Sequence, residues 1–183
     1  MIKSDLPFQI EIDERVKLIS VSKFDTQELL KKLDYFKDRQ VELYLGWEDS
    51  LEDEVINIKE RNETDSKSKF WIIERDGLVI GLFYLYDMHL KYKRAKISLG
   101  IIKEYRGYVL SIKRIRKLLE TLLDLGFVRL GLEIEPDNDA SIKIAKHLSL
   151  IGFQYEGTIR NNYGEGIHSM TYSLISSEYV KDR

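Results

Sequence analysis

Residues 8–12 (Phe-Gln-Ile-Glu-Ile) and 15–21 (Arg-Val-Lys-Leu-Ile-Ser-Val) alternate apolar and polar positions on either side of Asp13-Glu14. A period of two places the apolar side chains on one face, so the two runs predict an N-terminal β-hairpin. The period then lengthens. Leu29, Leu30, Leu33 and Phe36 recur at helical spacing behind Asp25, whose carboxylate can cap the first turn. Ser50 opens a second helix in the same way. Glu52, Asp53 and Glu54 fall where the helix dipole favours negative charge, and Val55, Ile56 and Ile58 give it an apolar side. The polar run 62–69 predicts a loop.

From residue 69 the pattern is strand-rich. Runs at 69–75 and 78–86 flank Asp76-Gly77, a strong two-residue hairpin signal, and 95–102 predicts a further strand. Ile112, Ile115, Leu118, Leu119, Leu122 and Leu123 repeat at three and four, the mark of an amphipathic helix ending near Gly126. A strand at 127–135, a helix at 138–150 and strands at 153–159 and 167–175 complete the chain. The strand–helix–strand step over 95–135 calls for a parallel or mixed pairing inside an otherwise antiparallel sheet. The expected class is α/β, with helices packed on one twisted sheet.

Composition narrows the chemistry. The 183 residues suit one domain, and a 43% hydrophobic fraction supplies its core. A net charge of −2 gives no global reason to bind nucleic acid or an anionic membrane. The absence of Cys removes disulfides, thiolate metal sites and cysteine nucleophiles, and the three His have no metal-ligand spacing. No apolar run approaches the ~20 residues of a membrane helix, so the chain reads as soluble and cytoplasmic. Tyrosines among basic residues suit stacking on single-stranded RNA, but no RNA-binding signature accompanies them.

The main landmark is the junction from Glu104 to Ser111 (Glu-Tyr-Arg-Gly-Tyr-Val-Leu-Ser), between a strand and the long helix. A strand-to-helix turn exposes helix N–H groups, which with the dipole form an anion site. Lys113, Arg114, Arg116 and Lys117 follow in the first turns, where cations oppose the dipole unless an anion offsets them.

Together with this junction, several pieces in order carry a family resemblance: the run from Trp71 to Gly81, Ala95 to Ile101, Tyr105-Arg-Gly107, Asn138-Asp-Ala-Ser141, Gly152 to Gly157 with Arg160, and the closing 172–179. The chain resembles the GNAT acetyltransferase superfamily, in its ribosomal-protein and spermidine-type branches. Leu45-Gly-Trp47 and Ser50-Leu-Glu52 look like those branches' substrate-side helices. The resemblance implies a mostly antiparallel twisted sheet of about seven strands with helices on both faces. It makes residues 1–183 one domain, with 24–65 on the substrate side and 68–183 binding the cofactor.

It further implies acetyl-CoA as co-substrate and direct transfer of the acetyl group to a primary amine on a peptide or small molecule. Arg106, Gly107, Tyr108, Val109, Leu110 and Ser111 would hold the pyrophosphate, Ile101 and Lys103 would face the pantetheine, and Asn138 would bond near it. Ser141 would stand where relatives place the group that protonates the leaving thiolate. Asp87 and His89, at the end of the third central strand, lie near the expected amine entry and are candidate bases. Glu133 and Glu135 share one face of their strand. No nucleic acid or membrane partner is expected, while the closing strand and the tyrosines leave room for a homodimer.

The sequence departs from the family pattern at several places. Val109 and Ser111 stand where the phosphate loop has small residues, Ala145 where many relatives carry Tyr, Lys96 where an acid is common, and His168 where Asp is common. A β-branched residue in a phosphate cradle obstructs close backbone approach. A second reading therefore stays open: a GNAT-fold binding or regulatory module that has lost acetyl transfer.

Overall fold

A computed structural model describes residues 6–34, 50–109 and 111–180. Phe36, Leu45-Gly-Trp47 and Leu110 lie outside the described residues. Strands β1 (Gln9–Glu11) and β2 (Val16–Ser20) form the expected antiparallel hairpin, and β2 pairs in turn with β3 (Lys69–Arg75). Between them come α1 (Thr26–Leu33) and α2 (Leu51–Thr64). Asp25 caps α1 in a reciprocal capping box with Glu28, and Ser50 accepts the Asp53 N–H at the start of α2.

Only half of the polar run 62–69 is a loop. Helix α2 continues to Thr64, because Asn62 is buried and its Oδ1 accepts the Phe70 N–H at 2.9 Å, tying the last turn of α2 to β3. Only residues 65–68 connect the two elements.

Asp76 and Gly77 both have positive φ, 51° and 85°, the turn geometry that suits the twist of β3 and β4 (Leu78–His89). Strand β5 (Arg94–Ile101) pairs antiparallel with β4. The short helix α3 (Arg106–Val109) and the long α4 (Ile112–Asp124) then lead to β6 (Arg129–Ile134), which runs parallel to β5. Helix α5 (Asp139–Leu148) and the hairpin of β7 (Gln154–Gly164) and β8 (Ile167–Ile175) close the chain. One sheet holds all eight strands in the order β1-β2-β3-β4-β5-β6-β8-β7. Every residue of β3 from Phe70 to Glu74 is buried, so both faces of the sheet centre are covered. Strand β7, at the edge, is almost wholly exposed.

Candidate active site

The site begins where two strands part. Strands β5 and β6 pair over three rungs, Arg94 with Arg129, Ala95 with Leu130 and Lys96 with Gly131. Beyond Lys96, β5 pairs only with β4, while β6 pairs only with β8. Two strand edges therefore face a gap with backbone N–H and C=O groups available for a ligand. Because the two strands are parallel, both run out at the same end of the sheet. That topology brings residues 102–109 and Ser111, after β5, and 135–141, after β6, to one end of the gap.

On the β5 side, the Ile101 side chain is buried, and its carbonyl accepts from Arg106 Nε at 2.9 Å. Lys103 is exposed in the turn that follows. Gly107 is exposed on α3, and a Cβ there would meet nothing within 4 Å. Tyr108 and Val109 complete α3. Ser111 precedes α4 without capping it by a side-chain bond; its Oγ instead accepts from Arg114 Nη1 at 3.3 Å. The first N–H groups of α4 thus have no side-chain cap, which suits a phosphate.

Two of the four basic residues of α4 are bonded within the protein. Arg114 Nε donates to Asp13 Oδ2 at 2.6 Å, and Arg116 Nη1 to the Val180 carbonyl at 2.7 Å. Lys113 and Lys117 are exposed.

On the β6 side, Asn138 caps α5 and its Oδ1 accepts the Ser141 N–H at 3.0 Å. Its Nδ2 keeps two donors. Ser141 stands half-buried in the first turn, and Ala145, one turn on, is fully buried.

At the apex of the gap the structure joins residues from three strands. Lys96 Nζ lies 2.7 Å from Glu133 Oε1 and 2.9 Å from Asp87 Oδ2. Burial works to lower the Lys96 pKa, but the bonds to Glu133 and Asp87 outweigh it and the group is held above its ordinary value. The Lys96 bond likewise holds Asp87 below the usual carboxylate range. Asp87 has a positive φ of 52°, at the irregularity where β4 passes from Tyr86 to His89. His89 lies past that irregularity, half-buried, with its ring 5.7 Å from Tyr92. The structure unites Asp87 with the apex and leaves His89 at the tip of the β4–β5 hairpin.

A pocket of about 140 Å³ opens between α2 and the sheet, lined by Glu54, Ile58, Arg61, Phe70, Leu82, Tyr84 and Tyr86. Tyr84 and Tyr86 stand opposite Ser98 and Lys96, so pocket and apex share one face. Burial raises the pKa of both tyrosines, and the Glu133 charge raises Tyr86 further, so both hydroxyls stay protonated donors. The Tyr163 hydroxyl, from β7, is pushed to about 12 by burial and by Glu133 and Glu135. Glu54, Arg61 and Tyr163 carry no sequence signal as site residues, since their strands and helix meet only in the folded sheet. Among the described residues no group of acidic or His side chains is arranged to hold a metal ion.

A family model described as "Acetyltransferase (GNAT) domain" matches residues 15–151. The chain belongs to the GNAT acetyltransferase family. GNAT acetyltransferases use acetyl-CoA, and the splayed strands, the uncapped α4 and the open Gly107 fit that ligand. Solved structures share the fold. RimL, a ribosomal L7/L12 alpha-N-protein acetyltransferase, superposes with a TM-score of 0.74 at 16% identity over 91% of this chain and 93% of its own. A probable GNAT-family acetyltransferase from Chromobacterium violaceum gives 0.74 at 20% identity over 95% and 94%. The microcin C7 self-immunity acetyltransferase MccE, in complex with acetyl-CoA and AMP, gives 0.72 at 18% identity over 93% and 97%. Among curated proteins none matches the chain. No described helix of this GNAT domain is long and apolar enough to cross a membrane.

Proposed function

We propose that this protein is an N-acetyltransferase that moves the acetyl group of acetyl-CoA to a primary amine by direct attack of the nitrogen. The observation that carries the reading is the parting of β5 and β6 after three rungs, with the uncapped start of α4 at its open end. In this reading the free edge of β5 meets the pantetheine amides, and backbone N–H groups of 106–111 with the start of α4 receive the pyrophosphate. Asn138 holds the ligand through Nδ2 while Oδ1 caps α5. Ser141 donates a proton to the departing thiolate. Asp87 serves as the partner of Lys96, and His89, at the hairpin tip, has no part in the chemistry.

The acceptor enters on the face bearing Tyr84 and Tyr86. The pocket has room for one slender group, comparable to the ~150 Å³ cavity that admits a single benzene. That favours the end of a peptide or of a small-molecule amine. RimL's printed substrate is ribosomal L7/L12, and a neighbouring fold is a spermidine N-acetyltransferase chimera from Vibrio cholerae; both acceptors have such an end.

The second reading, a module without transfer, is favoured by Ala145. Its place on α5 is fully buried and offers no hydroxyl to the thiolate. Calorimetry and thermal shift with acetyl-CoA separate the readings. At about 100 times the dissociation constant, binding stabilises the fold by ~2.7 kcal/mol. No response at millimolar acetyl-CoA overturns the enzyme reading. Binding without thiol release across a panel of amines supports the module.

A further inference from the structure

Thr171 of β8 stands directly opposite Glu133 of β6, and the ladder ends one rung on, at Ile134 with Met170. Continuing that register one residue past the end of β6 brings Glu135 level with Ser169, which shares the face of Thr171 two residues along β8. Ser169 is fully buried, and neither the Ser169 nor the Thr171 hydroxyl has a hydrogen-bond partner. Buried hydroxyls are rarely left unsatisfied, and two on neighbouring same-face positions point to a polar group that they receive.

Glu133 is bonded to Lys96, but Glu135 forms no side-chain bond among the described residues. Burial, and then the charge of Asp137, hold the Glu135 carboxyl above its ordinary range. The titratable and charged groups around it are Glu133 on its own strand, Lys96 of β5 behind Glu133, Asp137 in the turn before α5, and Tyr163 of β7.

A primary ammonium has three N–H donors and needs three acceptors. We infer that Glu135, Ser169 and Thr171 form the seat of the acceptor's ammonium group, and that Glu135 takes the proton this nitrogen must lose before it attacks. The inference rests on the acetyl-transfer reading and names its proton acceptor. The Tyr163 hydroxyl lies near both carboxylates. The nitrogen forms a bond to the acyl carbon as the carbon–sulfur bond breaks. Of the two protons the ammonium gives up, one passes to Glu135 and on to solvent, and the other ends on the thiolate.

The test compares wild type, Glu135→Gln and the double variant Ser169→Ala with Thr171→Val. In steady-state assays with the best amine of the panel, Glu135→Gln lowers kcat/KM at least about 100-fold and removes the acidic limb of its pH profile. The double variant raises the amine KM at least tenfold yet keeps its Tm at or above wild type, because it removes unsatisfied groups. Acetyl-CoA affinity, measured by calorimetry, stays within twofold for both. Wild-type kinetics in either variant overturn the seat, as does a double variant whose Tm falls.

A second measurement is independent of turnover. 1,4-Diaminobutane raises the wild-type Tm, 1,4-butanediol does not, and the response disappears in Glu135→Gln. No difference between the diamine and the diol overturns the seat. A diamine response that depends on Glu135, without any acetyl-CoA binding, leaves the seat standing and overturns the functional reading instead.

Discussion

Replacing Lys96 with Met tests the apex directly. The variant keeps most of the aliphatic stem and deletes the charge that lies between Asp87 and Glu133. The two partners then fare differently. The Asp87 side chain is 51% exposed, so water replaces the lost ion pair at a cost of only ~0.5 kcal/mol. The Glu133 side chain is 7% exposed, and it is left as a nearly buried carboxylate without its counter-charge. Breaking a buried pair typically costs about 3–5 kcal/mol. Lys96 itself is 31% exposed, so water reaches the gap, and the expected loss is about 2–3 kcal/mol.

For a chain of this size that lowers Tm by roughly 5–10 °C. The double variant carries the sharper information: Lys96→Met/Glu133→Gln removes the uncompensated carboxylate along with its counter-charge and should recover most of the loss. Urea unfolding of wild type and both variants at pH 7 measures it. No loss in Lys96→Met, or no recovery in the double variant, refutes this account of the apex.

Other outcomes follow from single contacts. Gly81→Ala places a Cβ 2.5 Å from the Gly100 carbonyl oxygen, so β4 and β5 must separate beside Ile101; we expect a loss of about 1–3 kcal/mol by urea unfolding, with weakened acetyl-CoA binding. Burial pushes the Asp13 carboxyl up, but the N–H groups of Arg15 and Val16 and the Arg114 guanidinium bring it below its ordinary value. Its stabilisation is present above the unfolded pKa and is lost as pH falls through the lower folded value; Asp13→Asn should cost about 1 kcal/mol at pH 7, a cost that shrinks as the pH falls into the acid range, measured by thermal melts. Asn138→Asp keeps the cap of α5 and deletes the Nδ2 donor, so unchanged Tm with weaker acetyl-CoA binding is expected, whereas Asn138→Ala should also cost about 1 kcal/mol of stability.

Much of the fold was legible in local patterns. The capping of α1 by Asp25 and of α2 by Ser50 depends on residues three apart in the chain, and both caps form as the spacing predicts. The Asp76-Gly77 turn needs positive φ at two positions, which these residue types tolerate. The run 62–69 misled because its polarity is a surface property, while the fate of Asn62 was decided by Phe70 eight residues away. The basic start of α4 misled in part for the same reason: the partner of Arg114 is Asp13, 101 residues earlier.

What the sequence determined by itself is the main strands and helices, their order, and a parallel or mixed step from β5 to β6, because periodicity, caps and turn residues act within a few positions of one another. The tertiary structure decided which edges remain unpaired and which charges meet. Where β5 and β6 stop pairing is set by what each strand holds on its other side: β4 keeps β5 to Ile101 and β8 keeps β6 to Ile134, and the twisted sheet cannot close between them. The same register puts Lys96 between Asp87 and Glu133 and sets Thr171 opposite Glu133, with Ser169 two residues along the same face of β8. Those neighbours are distant in the chain, and only strand order and a period of two bring them to one face.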